Sequence, residues 1–122
     1  MNEYLEVWPI DQYGHKVKPA SWFMGVCPTD PEFKQYRLKE LRELLREFDL
    51  DGLWMDYLHW HGQFEEPEPI LPETCFNDHC LRAFQVASGI EIPHCGSQAK
   101  AQWVLQNHDK AWRNWRSGIL NE

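Results

Sequence analysis

Asp51-Gly52-Leu53-Trp54-Met55-Asp56-Tyr57 sets three consecutive apolar side chains between two carboxylates. An uninterrupted apolar run of this length is what a strand buried on both faces requires. Asp56 closes the run. A buried strand that delivers an acid at its C-terminal end is how an α/β barrel equips its active face, so Asp56 is the first candidate for function. The chain has 122 residues, about half of the roughly 250 that a full eight-stranded barrel takes. The expected fold is therefore α/β, a partial (β/α)8 barrel segment with parallel strands and flanking helices. A smaller fold that uses the same strand is the alternative.

Upstream of this run the sequence writes a helix. Thr29-Asp30-Pro31-Glu32 is a start signal: Pro31 suits the first turn, where its missing N–H costs nothing. Thr29 and Glu32 have capping-box spacing, and Asp30 is an alternative cap. Phe33, Tyr36, Leu41, Leu44, Leu45 and Phe48 recur at three- and four-residue intervals over 31–48 and form one apolar stripe. Lys39, Glu40, Arg42, Glu43, Arg46 and Glu47 lie largely on the opposite side and supply a charged face with some i,i+4 pairing. Only Asp49-Leu50-Asp51-Gly52 separates helix from run, a length typical of α/β units. Further upstream, Leu5-Glu6-Val7-Trp8 and Ser21–Cys27 read as extended segments or strands. Asp11–His15 reads as a turn, with Gly14 at the positive-φ position.

Downstream, three prolines among residues 67–72 exclude regular structure and predict a long loop. Asn77 or Asp78 caps a second helix that ends near Ser88, with Gly89 as its stop. A third helical region starts near Ser97, as one helix or as two with Asp109 capping the second. Strand, helix, strand, long loop and helices make one βαβ unit with its next helix, a single incomplete domain over 1–122.

Composition bounds the function. The chain is 43% hydrophobic and 14% aromatic, with seven Trp, which is a globular profile. A net charge of −7 repels phosphate backbones and argues against nucleic acid as a partner. There is no apolar run long enough to span a membrane and no signal-peptide pattern at the N-terminus, which leaves the localisation open. Cys27, Cys75, Cys80 and Cys95 are irregularly spaced, unlike a disulfide scaffold. No Gly-rich phosphate loop and no Gly-x-Ser-x-Gly is present, so a serine or cysteine nucleophile is unsupported.

Four elements in series resemble the middle of a family of glycoside hydrolases with (β/α)8 barrels. They are Cys27-Pro28-Thr29-Asp30-Pro31-Glu32, Asp51–Tyr57, Cys75-Phe76-Asn77-Asp78-His79-Cys80 and Trp112-Arg113-Asn114-Trp115-Arg116. The resemblance covers about residues 21–116. In amylase- and fucosidase-like barrels the last Asp of the strand motif is the nucleophile of a retaining mechanism. The resemblance thus implies a hydrolase of O-glycosyl bonds that needs no cofactor, acts on a carbohydrate and uses Asp56. Retaining chemistry needs a second carboxyl about 5–5.5 Å away. Glu65 and Glu66 are the only nearby substitutes, so the chain alone is expected to be inactive. A partial barrel would also leave strand edges unpaired, which predicts contact with the rest of a barrel or self-association.

Residues past a barrel strand line the mouth of its site. Tyr57, His59, Trp60 and His61, with Trp22, are therefore candidates for substrate contact; Trp offers a flat face for a sugar ring. For Asp56 the plain alternative is a structural turn cap, and for His59 and His61 ordinary loop polarity. Cys75, His79 and Cys80 are a candidate metal set, with zinc as the ion. Their C-x4-C spacing departs from the C-x2-C knuckle, and four converging ligands are needed. His94, Cys95 or the His59/His61 pair could complete the set; buried thiols or one disulfide are the alternatives. Cys27 reads as a small core residue. A non-catalytic carbohydrate-binding protein and a small zinc-binding module are the two competing functions.

Overall fold

The structure, a computed structural model, describes residues 7–19, 25–56, 59–60, 62, 67–68 and 71–121. Three helices account for its regular structure: α1 (Pro31–Glu47), α2 (Asp78–Ser88) and α3 (Ser97–Ile119). Among the described residues the only β pairing is one antiparallel bridge, Ile10 with Lys16. That bridge closes the turn at Asp11–His15. Asp11 Oδ1 accepts the N–H groups of Tyr13 (2.9 Å) and His15 (2.8 Å), and Gly14 supplies φ 81°.

The helix starts follow the sequence signals, with the caps redistributed. Asp30 caps α1: its Oδ1 accepts the Phe33 N–H at 2.8 Å, and Pro31 opens the first turn. Thr29 does not act as the cap, because its hydroxyl is turned to two cysteine sulfurs. Asn77 holds the extended cap position of α2 but gives no side-chain cap. Its amide is spent on the N-terminal segment, accepting from Ile10 N–H and donating to the Trp8 carbonyl, each at 2.8 Å. Gly89 ends α2 in the left-handed region at φ 70°, a conformation that a Cβ disfavours. α3 runs through the expected junction as one element, broken in conformation at His108 (φ −138°, ψ 30°), the residue before Asp109.

The core lies between α2 and α3. Leu81 and Phe84 from α2 meet Ala101, Val104 and Trp112 from α3, with Phe76 and Ile92 closing the edges. Trp112 is fully buried, stacked on Phe76 at 4.9 Å and met edge-on by Phe84 at 5.1 Å. Trp115 adds a further edge contact to Phe84 at 5.8 Å. Such aromatic pairs contribute about 0.5–1.5 kcal/mol each beyond burial. No helix among the described residues is long and apolar enough to cross a membrane.

This architecture corrects the α/β expectation. Residues 52–56 have no regular structure and are exposed, Trp54 to 89%. A strand needs a neighbour for its N–H and C=O groups, and no described segment offers one. The parallel sheet, the partial TIM barrel and the incomplete barrel segment over 1–122 are therefore not supported. Of the other two expected strands, Val7-Trp8 and Gly25–Cys27 are not strands, though the Cys27 N–H bonds the Val7 carbonyl, while residues 5–6 and 21–24 lie outside the described residues. An apolar run alone does not separate a buried strand from an exposed apolar segment. α1 corrects a second expectation: its apolar stripe is present, yet none of its residues is buried.

Candidate metal centre

Three cysteines from three separate segments converge beside the core. Cys27 ends the segment before α1, Cys75 lies in the link before α2, and Cys80 is the third residue of α2. All three are fully buried, and their sulfurs lie within 4.8 Å of one another. The Cys27 and Cys80 sulfurs are 3.4 Å apart. None of the four cysteines is in a disulfide.

Backbone and side-chain bonds hold each sulfur in place. Cys27 N–H donates to the Val7 carbonyl at 2.5 Å, and the Cys27 carbonyl accepts from Asp30 N–H at 3.3 Å. Cys75 donates its thiol to Asn77 Oδ1. Phe76, the next residue, donates its N–H to the Ile10 carbonyl at 2.9 Å. Cys80 projects inward from the first turn of α2. The Thr29 hydroxyl lies 3.0 Å from the Cys80 sulfur and 3.5 Å from that of Cys27. The N-terminal segment, the start of α1 and the start of α2 thus meet at one point.

The electrostatics follow from packing three ionisable thiols together. Hydrogen bonds from Cys75 first and Cys80 second hold the Cys27 thiol well below its ordinary range, against the opposing effect of burial. Burial, and then Cys27, push the Cys75 thiol up to about 12. Cys27, then Cys75, then burial push Cys80 up as well. Cys27 is thus the thiol that ionises most readily, and Cys75 and Cys80 are held toward their protonated forms. A buried thiolate without a counter-ion is costly, and two adjacent ones more so. A divalent cation reverses this, since a coordinating thiol is deprotonated outright.

The geometry suits a small soft cation. Zinc–sulfur bonds are about 2.3 Å, which places tetrahedral sulfurs about 3.8 Å apart. The Cys27 and Cys80 sulfurs, 3.4 Å apart, lie within a few tenths of an ångström of that separation. Hard cations such as magnesium and calcium prefer oxygen ligands.

The residues expected at functional positions are dispersed. Cys75 and Cys80 are brought together, but Cys27 is their partner in place of His79. The His79 ring is half exposed and lies with Nε2 3.5 Å from Asp30 Oδ2. Cys95 is exposed, its thiol 3.5 Å from the Pro93 carbonyl, and His94 is exposed beside it. Asp56 lies on the exposed segment 52–56. His59 donates from Nδ1 to the Trp60 carbonyl at 2.6 Å. Trp60 packs on the core, with the Arg116 guanidinium 4.6 Å above its ring. That face is occupied from within the chain. Trp22, Tyr57, His61, Glu65 and Glu66 lie outside the described residues.

Cys27 is the member of the cluster that reading the sequence missed. It lies 48 positions before Cys75, and nothing in local spacing ties the two. The signal available was chemical: a fourth cysteine set among Pro28, Thr29 and Asp30, away from the apolar stripe of any helix.

The chain matches no protein-family model, no curated protein and no solved structure. The resemblance to glycoside hydrolases is thus carried neither by the fold nor by similarity to a known protein, and the glycosidase and barrel expectations are withdrawn.

Proposed function

We propose that the chain is a small metal-binding module that holds one zinc ion through Cys27, Cys75 and Cys80. The observation that carries this reading is the convergence of three fully buried sulfurs, within 4.8 Å of one another, from segments distant in sequence. Burying three thiols around one point gains little over three apolar side chains unless something binds there. Sulfur ligands select zinc from the common divalent ions by softness.

The role proposed for the ion is structural. It would tie the segment before α1 to the link and first turn of α2. The Thr29 hydroxyl, already facing two of the sulfurs, supports them by hydrogen bonding in the manner of groups that surround metal-bound thiolates. Three protein sulfurs leave one position of a tetrahedron for a further ligand, such as water.

Cobalt(II) substitution tests the reading, because cobalt occupies zinc sites and reports thiolate ligation by an intense near-ultraviolet charge-transfer band. One equivalent of cobalt should produce the band and one of zinc should remove it. Cys27→Ser, Cys75→Ser and Cys80→Ser should each weaken binding at least tenfold, and Cys95→Ser should leave it unchanged. Binding that depends on Cys95 or His79 but not on Cys27 would refute the assignment.

A further inference from the structure

The three sulfurs sit in surroundings that a divalent ion satisfies only in part. Cys27, Cys75 and Cys80 are fully buried and belong to the same apolar cluster as Phe76, Leu81 and Phe84. Among the described residues no histidine, carboxylate or fourth cysteine joins the set within 4.8 Å. The polar side-chain atoms against the sulfurs, Thr29 Oγ1 and Asn77 Oδ1, are neutral.

Charge decides which ion such a pocket holds best. Two positive charges on three thiolates leave one negative charge over, and burying an uncompensated charge is costly. Arg116, whose charge reaches Cys75 and Cys80, is already paired with Glu73 at 3.2 Å. A trivalent ion on three thiolates is neutral. Arsenic(III) has the softness that thiolate ligands select, and its lone pair stands where a fourth ligand would. It therefore needs neither a counter-charge nor a water inside the core. Its three bonds are pyramidal: at about 100° and a bond length near the roughly 2.3 Å of zinc–sulfur, the sulfurs lie about 3.5 Å apart, against about 3.8 Å in a tetrahedron. The Cys27 and Cys80 sulfurs stand 3.4 Å apart.

We infer that Cys27, Cys75 and Cys80 form a binding site for trivalent arsenic, taken up from arsenous acid as a neutral three-sulfur complex. The inference rests on the reading of these sulfurs as one binding site, not on zinc as its ion. Arsenic keeps its oxidation state throughout. Three As–O bonds break and three As–S bonds form, and each thiol proton leaves with a hydroxide as water.

Intact-mass spectrometry of the reduced, metal-free full chain with one equivalent of arsenous acid tests it, beside the cobalt(II) titration. The expected adduct adds one arsenic atom and loses three hydrogens, the signature of three As–S bonds. Arsenous acid should also abolish the thiolate band of the cobalt-loaded chain. Cys27→Ser, Cys75→Ser and Cys80→Ser should each bind at least tenfold more weakly, and any adduct they retain should keep a hydroxyl on arsenic. The near-ultraviolet dichroism of the buried Trp112 cluster reports that each variant is folded. Cys95→Ser should match the parent chain. Absence of an adduct on the parent chain would overturn the inference; a cobalt band formed by that same chain would leave the metal site standing without its arsenic chemistry. A parent adduct that keeps a hydroxyl, or one that Cys95→Ser removes, would also overturn it. A three-sulfur adduct on a chain that gives no cobalt band would support the inference and remove the zinc reading.

Discussion

Three buried thiols packed together ionise unequally, Cys27 most readily, and this sets how the cluster answers to pH. In the metal-free protein Cys75 and Cys80 are held protonated, by burial and by the Cys27 thiolate. Binding a cation must displace both protons. Apparent affinity for cobalt or zinc should therefore rise about 100-fold per pH unit below the thiol range, since each released proton contributes a factor of ten. A slope near zero between pH 6 and pH 8, measured by competition with a chelator of known affinity, would show that these thiols do not bind the ion. Linkage gives a second sign. The Cys75 thiol is raised in the folded state from 9.0 to about 12, so its contribution to metal-free stability is complete below pH 9. It is lost as the pH climbs through that window. Denaturant midpoints of the chelated protein should fall over this range.

Among the helices, α2 holds the most information per residue. Its start carries Cys80, its cap position carries Asn77, and its end is set by Gly89. Gly89→Ala puts a Cβ on a φ of 70° with no neighbouring atom within 4 Å. The strain is then purely conformational, and a loss of about 1 kcal/mol is expected by urea denaturation. Asp30→Ala removes the cap of α1 and the partner of His79 together. It should cost about 1 kcal/mol by the same measurement. Helix signals were legible in the sequence because they are local: Pro31 after Asp30, Gly89 after Ser88 and Asp109 after the break at His108 all fall where the backbone needs them. Which residue caps was not legible, because Thr29 and Asn77 are diverted to partners distant in sequence. The run at Leu53-Trp54-Met55 misled for the same reason. Whether three apolar residues form a strand depends on a neighbour that the run itself does not encode.

In the molecule as a whole, stability rests on a small aromatic core and, in the reading advanced above, on an ion. Trp112 is stacked by Phe76 and flanked by Phe84 and Trp115. Trp112→Ala should cost about 3–5 kcal/mol, a large share of what a domain of this size holds in reserve. Zinc bound only to the folded state should raise the melting temperature, increasingly so as its concentration exceeds the dissociation constant, and a chelator should reverse the effect. The candidate site was half legible. Cys75 and Cys80 stand out by proximity, whereas Cys27 joins them only through the packing of the N-terminal segment, held by the Asn77 amide and the Val7 carbonyl. The most direct test of the central claim is optical titration of the reduced, metal-free chain with cobalt(II), beside its Cys27→Ser variant. The account predicts a thiolate charge-transfer band that saturates at one equivalent in the parent chain and is strongly weakened in the variant. No thiolate band in the parent chain, or an identical titration in Cys27→Ser, would contradict it.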